Sequence, residues 1–298
     1  MLIDTHCHIH DRSSYNFALS RQQIGKKLLR EYPDFPHQSE DFTPEKILTR
    51  AHQASIEKVI CIGTSHEDSM RARDFAEKYH AEGVFWSYGV HPDEANAGNI
   101  APEAILRQRE QGVGSVPVTT GDATGASGAM LPHSPLRLVA IGEVGLDYHN
   151  GANRPAQQKL FEHMLQLAKD NNLPLIFHVR EAFDDFFAML DNFPGAKGVV
   201  HSFSDNRENL EKSLNRGFYI GVNGLSTFAP ELPIADIPLN RILLETDAPF
   251  LTPAPFRGTI NEPARIREIC AYVSKLKGES EANLAKITTK NAEQLFHI

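Results

Sequence analysis

Short apolar runs alternate with longer amphipathic stretches along most of the 298-residue chain. Three of these runs, KVICIG, LVAIG and RILLE, are almost continuously apolar, as is typical of parallel strands that are buried on both faces. The pattern predicts eight strands, at Leu2–Cys7, Lys58–Gly63, Val84–Val90, Leu138–Val144, Pro174–Val179, Gly198–Ser202, Phe218–Val222 and Arg241–Thr246.

Helical patterns separate the predicted strands and follow the last one. Eight strands that alternate with helices favour an α/β fold, the closed (β/α)8 or TIM barrel. An open, doubly wound sheet is the alternative, but such sheets usually carry a glycine-rich loop after the first strand, where this chain has HCHIHD. The predicted helices are Thr43–Ser55, Glu67–His80, Pro102–Gln111, Pro155–Asn171, Ala182–Asn192, Arg207–Arg216, a weaker one near Pro230–Ala235, Asn261–Leu276 and Glu281–Phe296.

Two segments interrupt this alternation. His10–Phe42 is a long polar and aromatic connection after the first strand. Gly112–Pro135 has Gly, Pro, Ser or Thr at 14 of its 24 positions, which is typical of a surface loop. We therefore expect one barrel domain over residues 1–298, with insertions near 10–42 and 112–135.

Composition and charge restrict the class of protein. With 41% hydrophobic and 23% charged residues, the chain has the composition of a globular protein with a substantial core. A net charge of −8 argues against a basic surface that coats duplex nucleic acid. No apolar run approaches the roughly 18 residues of a membrane span, and no secretory signal is visible. Three widely spaced cysteines suit a reducing compartment, so we expect a cytoplasmic protein. The sequence gives no indication of an obligate protein partner.

Histidines and carboxylates follow the predicted strands. In a barrel the carboxyl ends of the strands converge on one face, where active sites are built. A single buried histidine or an isolated H-x-H motif is more often structural, but six ligand-type residues at the ends of five strands favour a metal site. Four histidines and two carboxylates match two metal ions with a carboxylate between them. These six residues are His6, His8, Glu143, His178, His201 and Asp247.

Several motifs then resemble one family, the TatD metal-dependent deoxyribonucleases, which belong to the amidohydrolase superfamily of TIM barrels. The resemblance implies that His6, His8 and Asp247 hold one metal ion, that His178 and His201 hold another, and that Glu143 bridges them. The motifs, in the family's order, are IDTHCH at 3–8, GVHP at 89–92, IGEVGLDY at 141–148, FHVRE at 177–181, HSFS at 201–204, LLETDAPFLTP at 243–253, NEPA at 261–264 and NAEQLF at 291–296.

The resemblance also implies a reaction. Two divalent ions (Zn, Mn, Mg, Co or Ni) would activate water for hydrolysis of DNA phosphodiester bonds, and the family suggests 3′-to-5′ exonuclease action on single strands or 3′ ends. Asp247 is the candidate general base, and together with Glu143 it forms the predicted catalytic pair. His91, Arg180 and Glu245 are the candidate substrate contacts, with Glu245 alternatively a further ligand or a buried ion-pair partner.

Other functions remain open at this point. A barrel with two metal ions can hydrolyse a small ester, lactone or amide, because the loops rather than the fold set the substrate. A non-enzymatic protein that binds metal or nucleic acid is the third alternative, although it would have no need of the general base in the ETD motif at 245–247. Cys7 lies between two predicted ligands and should point to the opposite side, into the core.

Overall fold

The strands form a closed barrel. The computed structural model describes residues 1–32, 35–95, 138–149 and 153–298. Eight parallel strands pair in chain order, and a parallel bridge between Cys7 and Ala248 joins the first strand to the chain beyond the last. This arrangement confirms the predicted (β/α)8 barrel. The strands are β1 (Leu2–Cys7), β2 (Ile56–Ile62), β3 (Val84–Tyr88), β4 (Leu138–Asp147), β5 (Leu175–Arg180), β6 (Gly198–Val200), β7 (Tyr219–Val222) and β8 (Ile242–Leu244).

Helices lie between and after the strands, largely where the amphipathic pattern predicted them. The predicted helix at Pro102–Gln111 lies outside the described residues, and the weak one near Pro230–Ala235 is a short 3-10 turn at Pro233–Asp236. The α-helices in the described ranges are α1 (Arg12–Arg21), α2 (Lys26–Glu31), α3 (Pro44–Gln53), α4 (His66–Lys78), α5 (Arg154–Asp170), α6 (Phe183–Leu190), α7 (Arg207–Asn215), α8 (Ile266–Lys277) and α9 (Glu281–Phe296).

The segment 10–42 contains two helices, α1 and α2, which the sequence pattern did not predict. The carboxylate of Asp11 caps α1 by accepting hydrogen bonds from the backbone N–H groups of Ser13 and Ser14. Tyr15 is the buried residue that anchors α1. With so few buried positions the helix shows no clear apolar stripe, which explains why periodicity missed it. The other predicted insertion, 112–135, lies outside the described residues and stays a prediction.

Strand β4 is longer than the sequence pattern predicts. The apolar run indicates an end at Val144, whereas the strand continues to Asp147. The reason is its pairing with β5, which extends as far as Asp147 opposite Arg180 and shifts register between Gly142 and Val144. This extension carries a carboxylate beyond Glu143 to the carboxyl end of the barrel.

A compact apolar cluster fills the lower part of the barrel. It joins residues of six strands, which can meet only inside the barrel, and it includes Leu295 and Phe296 from the end of α9. The barrel is therefore packed on this side, and its polar residues gather at the other end. The strand residues of the cluster are Ile3, Ile60, Ile62, Val139, Ala140, Ile176, Val199 and Leu243.

Asn291 connects α9 to the last strand of the barrel. Its buried amide donates hydrogen bonds to the carbonyls of Leu239, at 2.9 Å, and Ile242, at 2.8 Å. In Asn291→Ala both carbonyls lose their donor, and we expect the free energy of unfolding to fall by about 1–3 kcal/mol in urea titrations. Asn283→Ala, an exposed asparagine on the same helix, is the control. Equal losses in the two variants would contradict this role.

Candidate metal centre

A cavity of about 600 Å³ opens at the carboxyl ends of the strands. His6 lies beneath its floor and is completely buried. The barrel thus brings together the six predicted ligands, which are up to 241 positions apart in the chain. The cavity wall includes five of them, His8, Glu143, His178, His201 and Asp247, together with His91 and Arg180.

Glu143 lies at the centre of the group. Its Oε1 is 2.7 Å from Nδ1 of His178 and 2.7 Å from Nε2 of His201, and its Oε2 is 3.5 Å from Nε2 of His6. Burial raises the pKa of the Glu143 carboxyl, but the neighbouring His201, His178 and His6 outweigh burial, so the pKa lies well below its ordinary value. Glu143 is therefore an anionic group surrounded by imidazoles.

Asp247 organises the other half of the site. Its Oδ1 lies 3.5 Å from Nε2 of His6 and 3.5 Å from Nε2 of His8. Nδ1 of His8 is 3.2 Å from the carbonyl oxygen of Ile62, to which it donates, so Nε2 keeps its lone pair for the cavity. The ligand atoms of His6, His8 and Asp247 lie within 4.8 Å of one another, close enough to share one metal ion.

Glu245 lies behind His201 rather than in the cavity. It is completely buried, and its Oε1 accepts a hydrogen bond of 2.6 Å from the backbone N–H of Ser202 and lies 3.7 Å from Nδ1 of His201. The ring of His201 stacks on His6, with 4.0 Å between centroids. The carboxylate of Glu245 is not part of the cavity wall, and its ligand atom lies within 4.8 Å of those of His6 and His201, so the alternatives of a further ligand or a buried partner of His201 stay open.

Sequence reasoning missed Asp147. Its Oδ2 lies 2.9 Å from Nε2 of His178, which leaves Nδ1 of that ring facing Glu143. The available signal was the spacing, since Asp147 is four positions after Glu143, and residues an even number apart on a strand share a face. The apolar run at 138–144 concealed it, because that run indicates too early an end for the strand.

Asp4 is a second residue that sequence reasoning missed. Its side chain is completely buried and accepts hydrogen bonds from the backbone N–H of Thr246, at 2.9 Å, and from that of His6, at 3.2 Å. Burial raises the pKa of the Asp4 carboxyl to about 8. Asp4 thus ties β1 to the chain after β8 and holds His6 beside Asp247. The signal was its position two residues before His6.

His91 presents a hydrogen-bond donor to the cavity. Its Nδ1 accepts a hydrogen bond from the backbone N–H of Asp93, with 3.2 Å between the two nitrogens. The neutral ring therefore carries its proton on Nε2, which lies 3.8 Å from Oε1 of Glu143. Burial lowers the pKa of His91 to about 4, which keeps the ring neutral at pH 7. The ring also lies within ligand distance of Glu143 and His178.

Three further residues lie at or near the cavity. Arg180 lines the cavity, as expected of a phosphate contact. Asn261, in contrast, is buried and donates hydrogen bonds to the carbonyls of Thr246 and Phe250. Cys7 is completely buried in the apolar core, which confirms its predicted packing role. Asn261 and Cys7 therefore support the site rather than line it.

The residues present fit metal ions. Both ring nitrogens of His6 and Nδ1 of His201 are buried without a hydrogen-bond partner among the described residues. Buried polar atoms without partners are unfavourable, and a metal ion would satisfy Nε2 of His6, which faces Glu143 and Asp247. Nδ1 of His201 faces Glu245 instead. Imidazole nitrogens and carboxylate oxygens are the ligands that Zn²⁺ and related divalent ions prefer. The donor set and its unsatisfied atoms therefore agree with a metal centre.

Comparison with known proteins identifies the family. The family model described as TatD related DNase matches residues 3–297. The chain belongs to the TatD family. The metal-dependent hydrolase YcfH of Escherichia coli K12 is 30% identical over 304 residues, which cover 100% of this chain and 96% of that protein. The 3′-5′ ssDNA/RNA exonuclease TatD of Cronobacter sakazakii is 33% identical over 272 residues, which cover 86% of this chain and 92% of that protein.

Solved structures agree with this assignment. The TatD homologue YjjV of Escherichia coli superimposes with a TM-score of 0.72 at 29% identity, and the match covers 100% of this chain and 98% of that one. The phosphotriesterase homology protein of Escherichia coli shares the fold, with a TM-score of 0.60 at 14% identity over 99% of this chain and 98% of that one. Among the described residues, no helix is long and apolar enough to span a membrane. The protein is a TatD-family metal-dependent hydrolase.

Proposed function

We propose that this TatD-family hydrolase is a nuclease that removes nucleotides from the 3′ ends of single-stranded DNA. The observation that carries the proposal is the position of Glu143, an anionic carboxylate among four imidazoles on the floor of an open cavity. The exonuclease name of the Cronobacter relative supports the choice of substrate. The net charge of −8 does not oppose it, because bound cations supply positive charge where the phosphate binds.

The proposed ligand assignment follows the two halves of the site. His6, His8 and Asp247 would hold one divalent ion, His178 and His201 would hold a second, and Glu143 would serve both. Such ions lower the pKa of water and stabilise negative charge on a phosphate group. Asp147 positions His178, and Glu245 positions His201, because each carboxylate faces the ring nitrogen that points away from Glu143.

Asp247 acts as the general base in this proposal. Its side chain is 16% exposed and lines the cavity, so it can reach the attacking water. Burial raises the pKa of Asp247, but His8 and His6 outweigh that effect and leave the pKa below its ordinary value. The carboxylate is therefore ionised at neutral pH and able to accept a proton.

Two donors orient the substrate. The Nε2–H group of His91 donates a hydrogen bond to a phosphate oxygen, and the guanidinium of Arg180 pairs with the phosphate from the cavity wall. Both groups lie at the carboxyl ends of strands, on the same face as Glu143. A phosphodiester held by these donors would lie in the same cavity as Glu143 and Asp247.

The test is digestion of one single-stranded DNA labelled at either end, with Mn²⁺, Mg²⁺ or Zn²⁺ and with EDTA. We expect metal-dependent release of mononucleotides from the 3′ end and no cleavage in EDTA. Hydrolysis of a small ester or lactone without any cleavage of DNA would favour the small-substrate alternative. Bound metal with no turnover on either class of substrate would favour a binding protein.

Asp147 offers a test of the ligand assignment that does not depend on turnover. In Asp147→Asn the ring of His178 loses its anionic partner, and we expect about 10–100-fold weaker binding of Zn²⁺ in competition with a chromogenic chelator. Asp184→Asn removes an exposed carboxylate at the rim and should bind Zn²⁺ like the wild type. Wild-type affinity in Asp147→Asn would contradict the positioning of His178 by this carboxylate.

A further inference from the structure

A strip of side chains leaves the cavity along α1. Ser14 lines the cavity, and Phe17 and Arg21 follow it three and seven positions later. At about 100° per residue the three side chains fall within an arc of roughly 60° on the helix. We propose that this α1 strip, Ser14, Phe17 and Arg21, is a base-stacking subsite for the single-stranded DNA whose 3′ end enters the cavity. The inference rests on the proposed nuclease function and names where the strand binds.

Phe17 is an exposed aromatic residue on α1. The residue is 51% exposed and is one of four large apolar residues that are exposed in the described part of the chain. The guanidinium carbon of Arg21 lies 4.5 Å from the centroid of this ring. Exposed aromatic rings and arginine planes are the surfaces on which proteins stack the bases of single strands. The pair therefore has the chemistry of a stacking platform.

The distribution of charge gives the direction of the strand. Helix α1 carries Arg12 and Arg21 and no acidic residue, although the whole chain has a net charge of −8. Because β1 and β5 lie opposite each other in the barrel, the rim after β4, β5 and β6 faces this helix across the cavity. A polyanion is attracted to the basic side. The depression on the far rim is lined by four carboxylates, Glu181, Asp184, Asp185 and Asp205, and by the guanidinium of Arg154, while Arg180 at the end of β5 lines the cavity itself.

The dimensions agree with a short single strand. Ser14 and Arg21 are separated by seven residues, or about 10 Å along the helix axis. Stacked nucleotides repeat at about 3.4 Å along a strand, so the α1 strip spans roughly three of them. Beyond its far end, the backbone N–H of Gln23 donates to the carbonyl of Gly258 at 2.8 Å. The guanidinium carbon of the adjacent Arg257 lies 3.7 Å from the ring centroid of Phe228, which makes a second stacked pair of arginine and phenylalanine.

The test compares binding and catalysis in Phe17→Ala. Binding of fluorescein-labelled dT10 is measured by anisotropy in EDTA, and Mn²⁺-dependent kcat/KM is measured for dT10 and for bis(p-nitrophenyl) phosphate, which is too small to reach the α1 strip. We expect dT10 to bind about tenfold more weakly to the variant than to the wild type. The ratio of kcat/KM for dT10 to kcat/KM for the small diester should also fall by about tenfold. Phe17→Trp should restore both values. Arg21→Ala should weaken the binding of dT10. It should also reduce the slope of log affinity against log salt concentration by about one, as expected for the loss of one phosphate contact.

Leu276→Ala is the matched control, since it removes an exposed apolar side chain from α8 and should bind dT10 like the wild type. Wild-type binding by Phe17→Ala, or an equal loss on both substrates, would overturn the subsite. If the wild-type protein hydrolyses the small diester but does not bind dT10, the subsite is also overturned. The protein would then be a phosphodiesterase that does not act on single-stranded DNA. Phe17-dependent binding without cleavage of either substrate would support the subsite and refute the proposed nuclease activity.

Discussion

Glu143→Gln is expected to lower kcat/KM for DNA hydrolysis by about 10³-fold or more. Glutamine keeps the volume of the side chain but lacks the charge that both proposed ions share, and the loss of several kcal/mol of charge stabilisation corresponds to this factor. Bound metal should fall as well, because Glu143 lies within 3.5 Å of three proposed histidine ligands. Initial rates and elemental analysis of the purified variant measure the two effects.

The control for this variant is Glu181→Gln. Glu181 is 59% exposed on the rim and contacts His149 rather than the proposed ligands, so its variant should keep both metal and activity. Far-UV circular dichroism should show unchanged folding in both variants. Full activity or an unchanged metal content in Glu143→Gln would contradict the central position that we assign to this carboxylate.

Asp247→Asn is expected to lower kcat by about 10²–10⁴-fold, the range in which a general base contributes. The pKa of Asp247 lies below its ordinary value because His8 and His6 outweigh the effect of burial. The base works only when ionised, so the wild-type rate should fall as the pH drops through that pKa. In the variant the part of this acidic limb that is due to Asp247 should disappear, because asparagine does not titrate. Rates on single-stranded DNA at a series of pH values measure both effects.

Asp93→Asn provides the comparison for this second variant. Asp93 is 75% exposed beside His91 and should affect the rate little when its charge is removed. The Asp247→Asn variant should retain an ion at the His178–His201 half of the site, which distinguishes loss of the base from loss of all metal. A rate within fivefold of the wild type, with the acidic limb intact, would show that another group accepts the proton.

Much of the barrel was predictable because buried parallel strands leave a local pattern. Leu2–Cys7 and Glu281–Phe296 agree with their predicted bounds, since apolar runs and capping residues act over a few neighbouring positions. The helix α1 was not predictable in this way. Its stability depends on a cap at Asp11 and on the burial of Tyr15 against other parts of the fold.

The residues of the candidate site likewise differ in how far they could be predicted from the sequence. The six proposed ligands were predictable because strand ends converge in any barrel, whatever the details of packing. The spacing of Asp4 and Asp147 from His6 and Glu143 was visible in the sequence, but their roles were not, because each acts through a partner that is distant in the chain, Thr246 and His178 respectively. The choice between the alternatives for Glu245 could not be made from the sequence for a related reason: a position at a strand end does not show whether a side chain faces the cavity or the layer beneath it.

By itself, the sequence determined which residue types stand at the carboxyl ends of the strands, and therefore that the chain folds as a barrel with a cluster of metal-binding side chains. Only the tertiary structure decided which atoms of those side chains face one another. The pairing of β4 with β5 through Asp147 turns Nδ1 of His178 toward Glu143, and a charge of −8 coexists with a basic helix at the cavity mouth. The physical reason is that the hydrophobic pattern of a strand is local in the sequence. The orientation of a histidine ring and the distribution of charge over the surface depend on contacts across the barrel.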